Sequence, residues 1–352
     1  INIAITKGIS KPFLLHGVTN SGKTEVYLRA CAHALDRGKQ CIFIVPEISL
    51  TPQSIARFEE VFGMERIAVV HSKLTTGQRG RAWLDIREGR KDIVIGSRSA
   101  LFAPLASIGL IIVDEEHDRI SFKSDQTPRY ELHTVAEKLA ECTGATLIFG
   151  TATPLVESYK KVLDGVWGYL SMPDRVDGKQ LPVIKVIDMT KERMGGNKSL
   201  FSHYLTESLQ MILKNKRQAL LFLNRRGMAT AAICSDCGTV VECTDCTVPL
   251  VYHMSNHRMW CHYCGRSYVT GQPCGTCGGY TLYHSGHGTE RVEDDVRQIF
   301  PHARVYRMDR DAMQREEDYQ KVFSDFKHGH IDILVGTQMV VHGWDIPSVD
   351  LA

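Results

Sequence analysis

The chain has 352 residues, 43% hydrophobic and 23% charged, which is enough to bury sizeable cores in two domains or slightly more and excludes a peptide, a disordered tail or a small stapled scaffold. Its 42 lysines and arginines stand against 40 aspartates and glutamates, so the formal charge is only +2 and any site for a polyanion must be local. No stretch approaches the roughly 20 apolar residues of a membrane span, and no charged-then-apolar export pattern opens the chain, so a cytoplasmic location and no membrane partner are expected.

From residue 13 to about 170, short apolar runs alternate with amphipathic stretches, the pattern of an α/β fold with a parallel sheet flanked by helices. Strands are predicted at residues 13–15, 41–45, 67–70, 92–95, 110–113 and 146–149, and covering helices at segments such as 23–35 and 55–62. Residues 171–182, with two prolines, two aspartates and a glycine and no periodicity, read as an interdomain connection. A second α/β pattern follows, with helices near 201–213 and 289–299 and strands near 219–223, 303–306 and 331–335. A cysteine-rich block interrupts it. The expected divisions are a first lobe over 1–175, the start of a second over 176–227, the cysteine block over 228–283 and the rest of the second lobe over 284–352.

Directly after the first strand, Gly17, Val18, Thr19, Asn20, Ser21, Gly22, Lys23 and Thr24 fit the phosphate-loop pattern at every fixed position, and a helix follows at once. In that setting backbone N–H groups and the helix N-terminus cradle nucleotide phosphates, Lys23 reaches the β and γ oxygens, and Thr24 holds Mg²⁺. A nucleoside triphosphate and Mg²⁺ are the expected cofactors. Asp114, Glu115, Glu116 and His117 follow a buried apolar run, so their side chains emerge at the carboxyl end of a strand, where ligands of open α/β sheets sit. Asp114 is expected to bind Mg²⁺ and Glu115 to orient and deprotonate the attacking water, with His117 drawing its place in the site from these neighbours. Gly150, Thr151, Ala152, Thr153 and Pro154 end the next strand with two hydroxyls and a proline-set turn, a relay between the nucleotide and something beyond it.

Eight of the 11 cysteines fall in four C-x-x-C pairs: Cys234 and Cys237, Cys243 and Cys246, Cys261 and Cys264, Cys274 and Cys277. Eight thiolates make two tetrahedral Cys₄ sites with no open position, so two structural Zn²⁺ are expected in preference to redox thiols.

The order of these motifs resembles that of superfamily 2 helicase motors, and specifically the PriA family of bacterial primosomal helicases. The resemblance is carried by residues 17–27, 45–53, 95–105, 110–118, 150–154, 224–227, the cysteine block, 287–291 and 336–339. It implies that the nucleotide is ATP, and it implies two RecA-like lobes with a double zinc-binding insertion in the second, ATP-driven 3′ to 5′ translocation on single-stranded DNA, and a role in primosome assembly and restart of stalled forks. Single-stranded and forked DNA, other primosome and replication-restart proteins and single-stranded DNA-binding protein are the implied partners. Pro46, Glu47, Thr51, Ser97, Arg98 and Ser99 are implied to line the DNA track from one lobe, and Thr337 and Gln338 from the other. Phe122, Lys123, Arg129 and Tyr130 resemble an aromatic-rich DNA-sensing loop, where rings beside cations stack bases. The inner quartet Cys243, Cys246, Cys261 and Cys264 closes a span near the usual zinc-ribbon spacing and leaves Cys234, Cys237, Cys274 and Cys277 for an outer site. This nested pairing, shared with the resembled family, is favoured over a crossed one. The chain as given is expected to be a piece of a longer protein, weakly active by itself. The competing reading is an ATP-gated, zinc-containing assembly module that recruits replication proteins without productive unwinding.

Overall fold

The computed structural model describes residues 1–46, 52–72, 74–122, 127, 129–178, 182–197, 199–223, 231–234, 236–253, 258–279, 282–285, 289–309, 316–337 and 346–352. The chain divides into two compact units, Ile1–Pro182 and Val183–Ala352. Unit 1 runs α1 (Asn2–Lys7), β1 (Phe13–Gly17), α2 (Lys23–Leu35), β2 (Gln40–Ile44), α3 (Pro52–Phe62), β3 (Ile67–Val70), α4 (Thr76–Arg87), β4 (Ile93–Gly96), β5 (Ile108–Asp114), α5 (Arg119–Phe122), α6 (Leu132–Thr143), β6 (Thr146–Thr151), α7 (Val156–Leu163) and β7 (Gly168–Met172). Its seven strands form one parallel sheet in the order β3-β4-β2-β5-β6-β1-β7. Alternate residues of one strand serve opposite faces: Ile42 and Ile44 of β2 join one core with Leu14, Ile111 and Phe149, while Cys41 and Phe43 join another with Leu15, Tyr27 and Ile112. A sheet covered on both faces needs apolar side chains at every position, which is why its central strands read as unbroken apolar runs.

The edge strand β7 departs from the expected connection at 171–182, because Ser171 and Met172 pair in register with His16 and Gly17 of β1. The segment after it also braces the phosphate loop. Val18 N donates to Met172 O at 3.2 Å and Val176 N to Asn20 O at 2.9 Å.

Unit 2 continues with α8 (Met189–Met194), α9 (His203–Lys214), β8 (Gln218–Phe222), β9 (Ala231–Cys234), β10 (Val251–His253), β11 (Arg258–Trp260), β12 (Ser267–Val269), β13 (Leu282–Ser285), α10 (Thr289–Ile299), β14 (Val305–Met308), α11 (Glu316–Lys327), β15 (Ile333–Gly336) and β16 (Val349–Leu351). A parallel sheet in the order β14-β15-β8-β16 carries a core of its own around Leu209, Ala219, Val296 and Ile333. A separate antiparallel sheet, β12-β11-β10-β9-β13, belongs to the cysteine block, whose core is small: Ala232, Cys243, Leu250, Met259 and Cys261. No helix among the described residues is long and apolar enough to cross a membrane.

Candidate nucleotide site and zinc centres

Register places the nucleotide motifs together. Gly150 of β6 lies opposite Leu15 of β1 on one side and Asp114 of β5 on the other, so the phosphate loop, the acidic strand end and the threonine turn share one carboxyl edge of the sheet. In the loop, Asn20 (φ 63°) and Gly22 (φ 89°) turn the backbone left-handed before α2 begins at Lys23. Lys23 Nζ donates to Gly17 O at 2.8 Å. Ser21 Oγ is buried with no hydrogen-bond partner among the described residues, a donor that suits an anionic ligand in the loop. The loop therefore fits nucleotide phosphates on its own chemistry.

Asp114 is held from α2. The fully buried Tyr27 hydroxyl donates to Asp114 Oδ1 at 2.8 Å, and it crosses Gly150 where any β-carbon would collide with it, so glycine is required there. Burial, and then the Glu115 charge, raise the Asp114 pKa to about 6 against the lowering effect of Tyr27 and Lys23. The same burial, with Asp114 beside it, pushes the Tyr27 hydroxyl well above its ordinary pKa, so it stays a donor. Glu115 takes a left-handed backbone (φ 52°), and its Oε2 lies 3.4 Å from His117 Nδ1. His117 Nδ1 in turn lies 2.8 Å from Thr151 Oγ1, which also accepts from Thr153 N at 3.1 Å. His117 thus bridges the acidic strand end to the threonine turn.

Residue patterns gave no warning of Glu116. Its carboxylate is 0% exposed; Oε1 accepts from Leu155 N at 2.9 Å, and Oε2 from Ser158 Oγ at 2.8 Å with His133 Nε2 at 3.1 Å. Its side-chain partners stand 17 and 42 residues further along, so nothing local in the sequence separates it from Glu115. Tyr27 had a readable signal, because it follows Lys23 by four on one helix and so shares its face.

The residues expected on the DNA track are distributed unevenly. Glu47, Thr51, Lys123 and Gln338 lie outside the described residues, as do residues 224–227. Arg98 is half-buried and Ser99 exposed directly after β4, whereas Pro46 and Ser97 are buried. Arg129 is exposed, Tyr130 half-buried, and Thr337 half-buried after β15 of unit 2. Phe122 corrects the expectation of a base-stacking ring: it is 1% exposed, sits in the core of unit 1 and meets His133 edge-on at 6.2 Å. Its apolar ring closes the core under α5, and α5 turns it inward.

The structure gathers the eight cysteines into Cys234, Cys237, Cys274 and Cys277, and Cys243, Cys246, Cys261 and Cys264, the sulfurs of each group within 4.8 Å of one another. All four C-x-x-C pairs are built alike. The carbonyl of the first cysteine accepts from the N–H four residues on, at Gly238, Thr247, Gly265 and Gly278. Each of those residues has a positive φ, which glycine adopts freely; Thr247 (φ 51°) is the exception in type. Thr239 Oγ1 lies 3.2 Å from Cys237 Sγ and Tyr268 Oη 3.1 Å from Cys243 Sγ, and these hydroxyls bring both thiol pKa values down to about 6. Closed sets of four sulfurs fit zinc by donor type and number.

A parallel-sheet unit with a phosphate loop and an acidic strand end, joined in one chain to a second parallel sheet interrupted by a cysteine block with its own antiparallel sheet, is a RecA-like helicase fold with an insertion. Residues 2–162 match the DEAD/DEAH box helicase family, and residues 243–267 match the PriA DNA helicase Cys-rich region (CRR) domain. Over nearly all its length the chain is similar to the replication restart proteins PriA. It is 43% identical to that of Bacillus subtilis over 341 residues and 42% identical to that of Synechocystis over 347, covering 97% and 96% of this chain. It is 39% identical to the Haemophilus influenzae protein over 96% of this chain. The chain spans less than half of these relatives, 42%, 42% and 46% of their lengths. Among solved structures, RecG bound to a three-way DNA junction has a TM-score of 0.50 at 18% identity, covering 96% of this chain and 34% of that one. S. cerevisiae Dbp5 bound to RNA and ADP BeF3 has a TM-score of 0.51 at 10% identity, covering 96% and 68%. At such identities the likeness is one of fold.

Proposed function

We propose that the chain is the ATP-hydrolysing motor of a DNA helicase that acts in primosome assembly and restart of stalled replication forks, moving 3′ to 5′ on single-stranded DNA. The observation that carries this reading is the convergence of Lys23, Asp114, Glu115 and the His117–Thr151 contact at one sheet edge. Lys23 exchanges Gly17 O for the β and γ oxygens of ATP, and Ser21 Oγ gains an acceptor there. Thr24 and Asp114 hold Mg²⁺, which neutralises charge on the phosphates. Glu115 positions a water and takes its proton as the water oxygen bonds to the γ-phosphorus and the bond to the β–γ bridging oxygen breaks. His117 and Thr151 pass the change at Glu115 to the turn before α7. Arg98, Ser99, Arg129 and Tyr130 of unit 1 and Thr337 of unit 2 supply contacts to single-stranded DNA that do not depend on base identity.

In this reading the two cysteine groups hold two structural zinc ions, the partners are single-stranded and forked DNA, other primosome proteins and single-stranded DNA-binding protein, and the chain works in the cytoplasm. The similarity to replication restart proteins supports it. The test is steady-state ATPase of the full-length protein with and without single-stranded DNA, paired with strand displacement on a forked substrate. Lys23→Ala is expected to lower hydrolysis at least about a hundredfold and Glu115→Gln to retain bound ATP while losing turnover, since one removes phosphate neutralisation and the other only the water-orienting base. Normal turnover in either variant would overturn the assignment. ATP binding with no DNA-stimulated turnover in the full-length protein would favour the assembly module.

A further inference from the structure

The helical turn after β4 leaves one large ring in an unusual position. Arg98–Phe102 is a single 3₁₀ turn at the carboxyl edge of the sheet, anchored by Ala100 and Leu101, both in the core. The next side chain, Phe102, is 57% exposed. Single exposed apolar residues are common and need no explanation. This one is not single. Its ring meets Tyr130 at a centroid distance of 5.2 Å and 89° between planes, and the Arg98 guanidinium lies 5.7 Å from the Tyr130 ring centroid. Two segments far apart in sequence therefore build a row of guanidinium, phenol ring and exposed phenyl ring.

The buried anchors fix the backbone and the edge-on contact fixes the ring plane, so Phe102 offers a face whose ordering cost is already met. The row lies on the strand edge that carries the nucleotide site, since Gly96 at the end of β4 pairs with Ile44 of β2, and Ile44 with Val113 of β5. An exposed ring braced by a tyrosine whose own ring carries a guanidinium suits a ligand with flat apolar faces strung on an anionic backbone, and every base of a single strand has such a face. In a duplex those faces are occupied by neighbouring bases.

The geometry points to Phe102, backed by Tyr130, as the base-stacking platform of unit 1, with Arg98 taking the adjoining phosphate. Phe102 thus takes the stacking role that the buried Phe122 cannot fill. The assignment rests on the DNA-motor reading above and adds to it the residue that distinguishes unpaired from paired strands.

The test uses the whole chain and a labelled oligothymidylate, followed by fluorescence anisotropy. Phe102→Ala and Phe102→Leu are expected to weaken binding roughly tenfold, the scale of one lost base stack, whereas Phe102→Trp keeps the affinity and gains an indole emission that oligothymidylate quenches. Binding to a blunt duplex should not change in any of the three. Phe102→Leu retains apolar bulk, so weaker binding there with an unaltered thermal transition assigns the loss to the missing ring. Unchanged oligothymidylate affinity in Phe102→Leu, or no quenching in Phe102→Trp, would overturn the platform. If Arg98→Ala weakens binding while Phe102→Leu does not, the platform falls and the DNA-motor reading stands. An unaltered chain that does not bind oligothymidylate overturns both.

Discussion

Asp114 carries an electrostatic conflict at the scale of a single side chain. Its pKa of about 6 lies above the ordinary 3.8 because burial and the neighbouring Glu115 disfavour the charge. A carboxyl with a raised folded-state pKa destabilises the fold once ionised, so this group costs stability above pH 6 and the cost fades as pH falls from about 6 toward 4. Under the proposed role of Asp114 in holding Mg²⁺, nucleotide binding has the opposite sign, because a metal ligand must be deprotonated. Affinity for Mg-ATP is therefore expected to fall as pH drops through about 6 while thermal stability of nucleotide-free unit 1 rises slightly. Tyr27→Phe removes a hydrogen bond that lowers the Asp114 pKa, so the affinity midpoint should move to higher pH, with about 1–3 kcal/mol lost from the nucleotide-bound state. Calorimetric titration of the nucleotide between pH 5 and 8 checks both; a midpoint unmoved in Tyr27→Phe would remove the hydroxyl from this role.

Elements are joined by Glu116 as much as by the sheet. Its carboxylate ties the turn after β5 to α7 through Leu155 N and Ser158 Oγ, and to α6 through His133 Nε2. Glu116→Gln keeps the shape: the amide oxygen still accepts from Leu155 N, and the new N–H₂ faces a serine hydroxyl and an imidazole that can both accept. It should cost under about 1 kcal/mol, whereas Glu116→Ala strands three polar groups in the core and should cost on the order of 2–4 kcal/mol. Urea midpoints measure this; equal losses in the two variants would contradict the hydrogen-bond account. A second element-scale test lies in the zinc knuckles. Thr247→Gly relieves a β-branched residue from a left-handed backbone and should keep both metal sites with a stability gain of up to about 1 kcal/mol, seen as a higher melting temperature of the cysteine block. The central strands β2, β5 and β6 were legible because strands buried on both faces leave continuous apolar runs. By contrast β7 alternates half-buried and exposed positions, and that edge pattern merged with the polar connection after it. The phosphate loop and cysteine pairs were legible because their chemistry is local in spacing. Glu116, Ser158 and the inward turn of Phe122 were not, since each depends on partners supplied by distant elements.

At the scale of the whole molecule, stability is unevenly supplied. Unit 1 packs cores on both faces of its sheet, while the cysteine block has only a handful of buried side chains and its sulfurs. Zinc removal by a strong chelator is therefore expected to unfold the block and leave unit 1 intact, so amides of β10, β11 and β12 lose hydrogen-exchange protection while those of β1, β5 and β6 keep theirs. Metal analysis should give about two zinc ions per chain, and Cys243→Ser should lose one and retain the other. Protection unchanged after chelation would show that the small core suffices alone. The block also closes upon itself. Its first and last strands, β9 and β13, pair antiparallel from Cys234 with Leu282 to Ala231 with Ser285, so the chain leaves close to where it entered. To the parallel sheet of unit 2 the whole intervening stretch is topologically a hairpin loop, and loop-closure entropy grows only slowly with such length. The ribbon is in that sense a cassette: it can be exchanged, enlarged or replaced by a tight turn between β9 and β13 without re-threading a single strand of the parallel sheet.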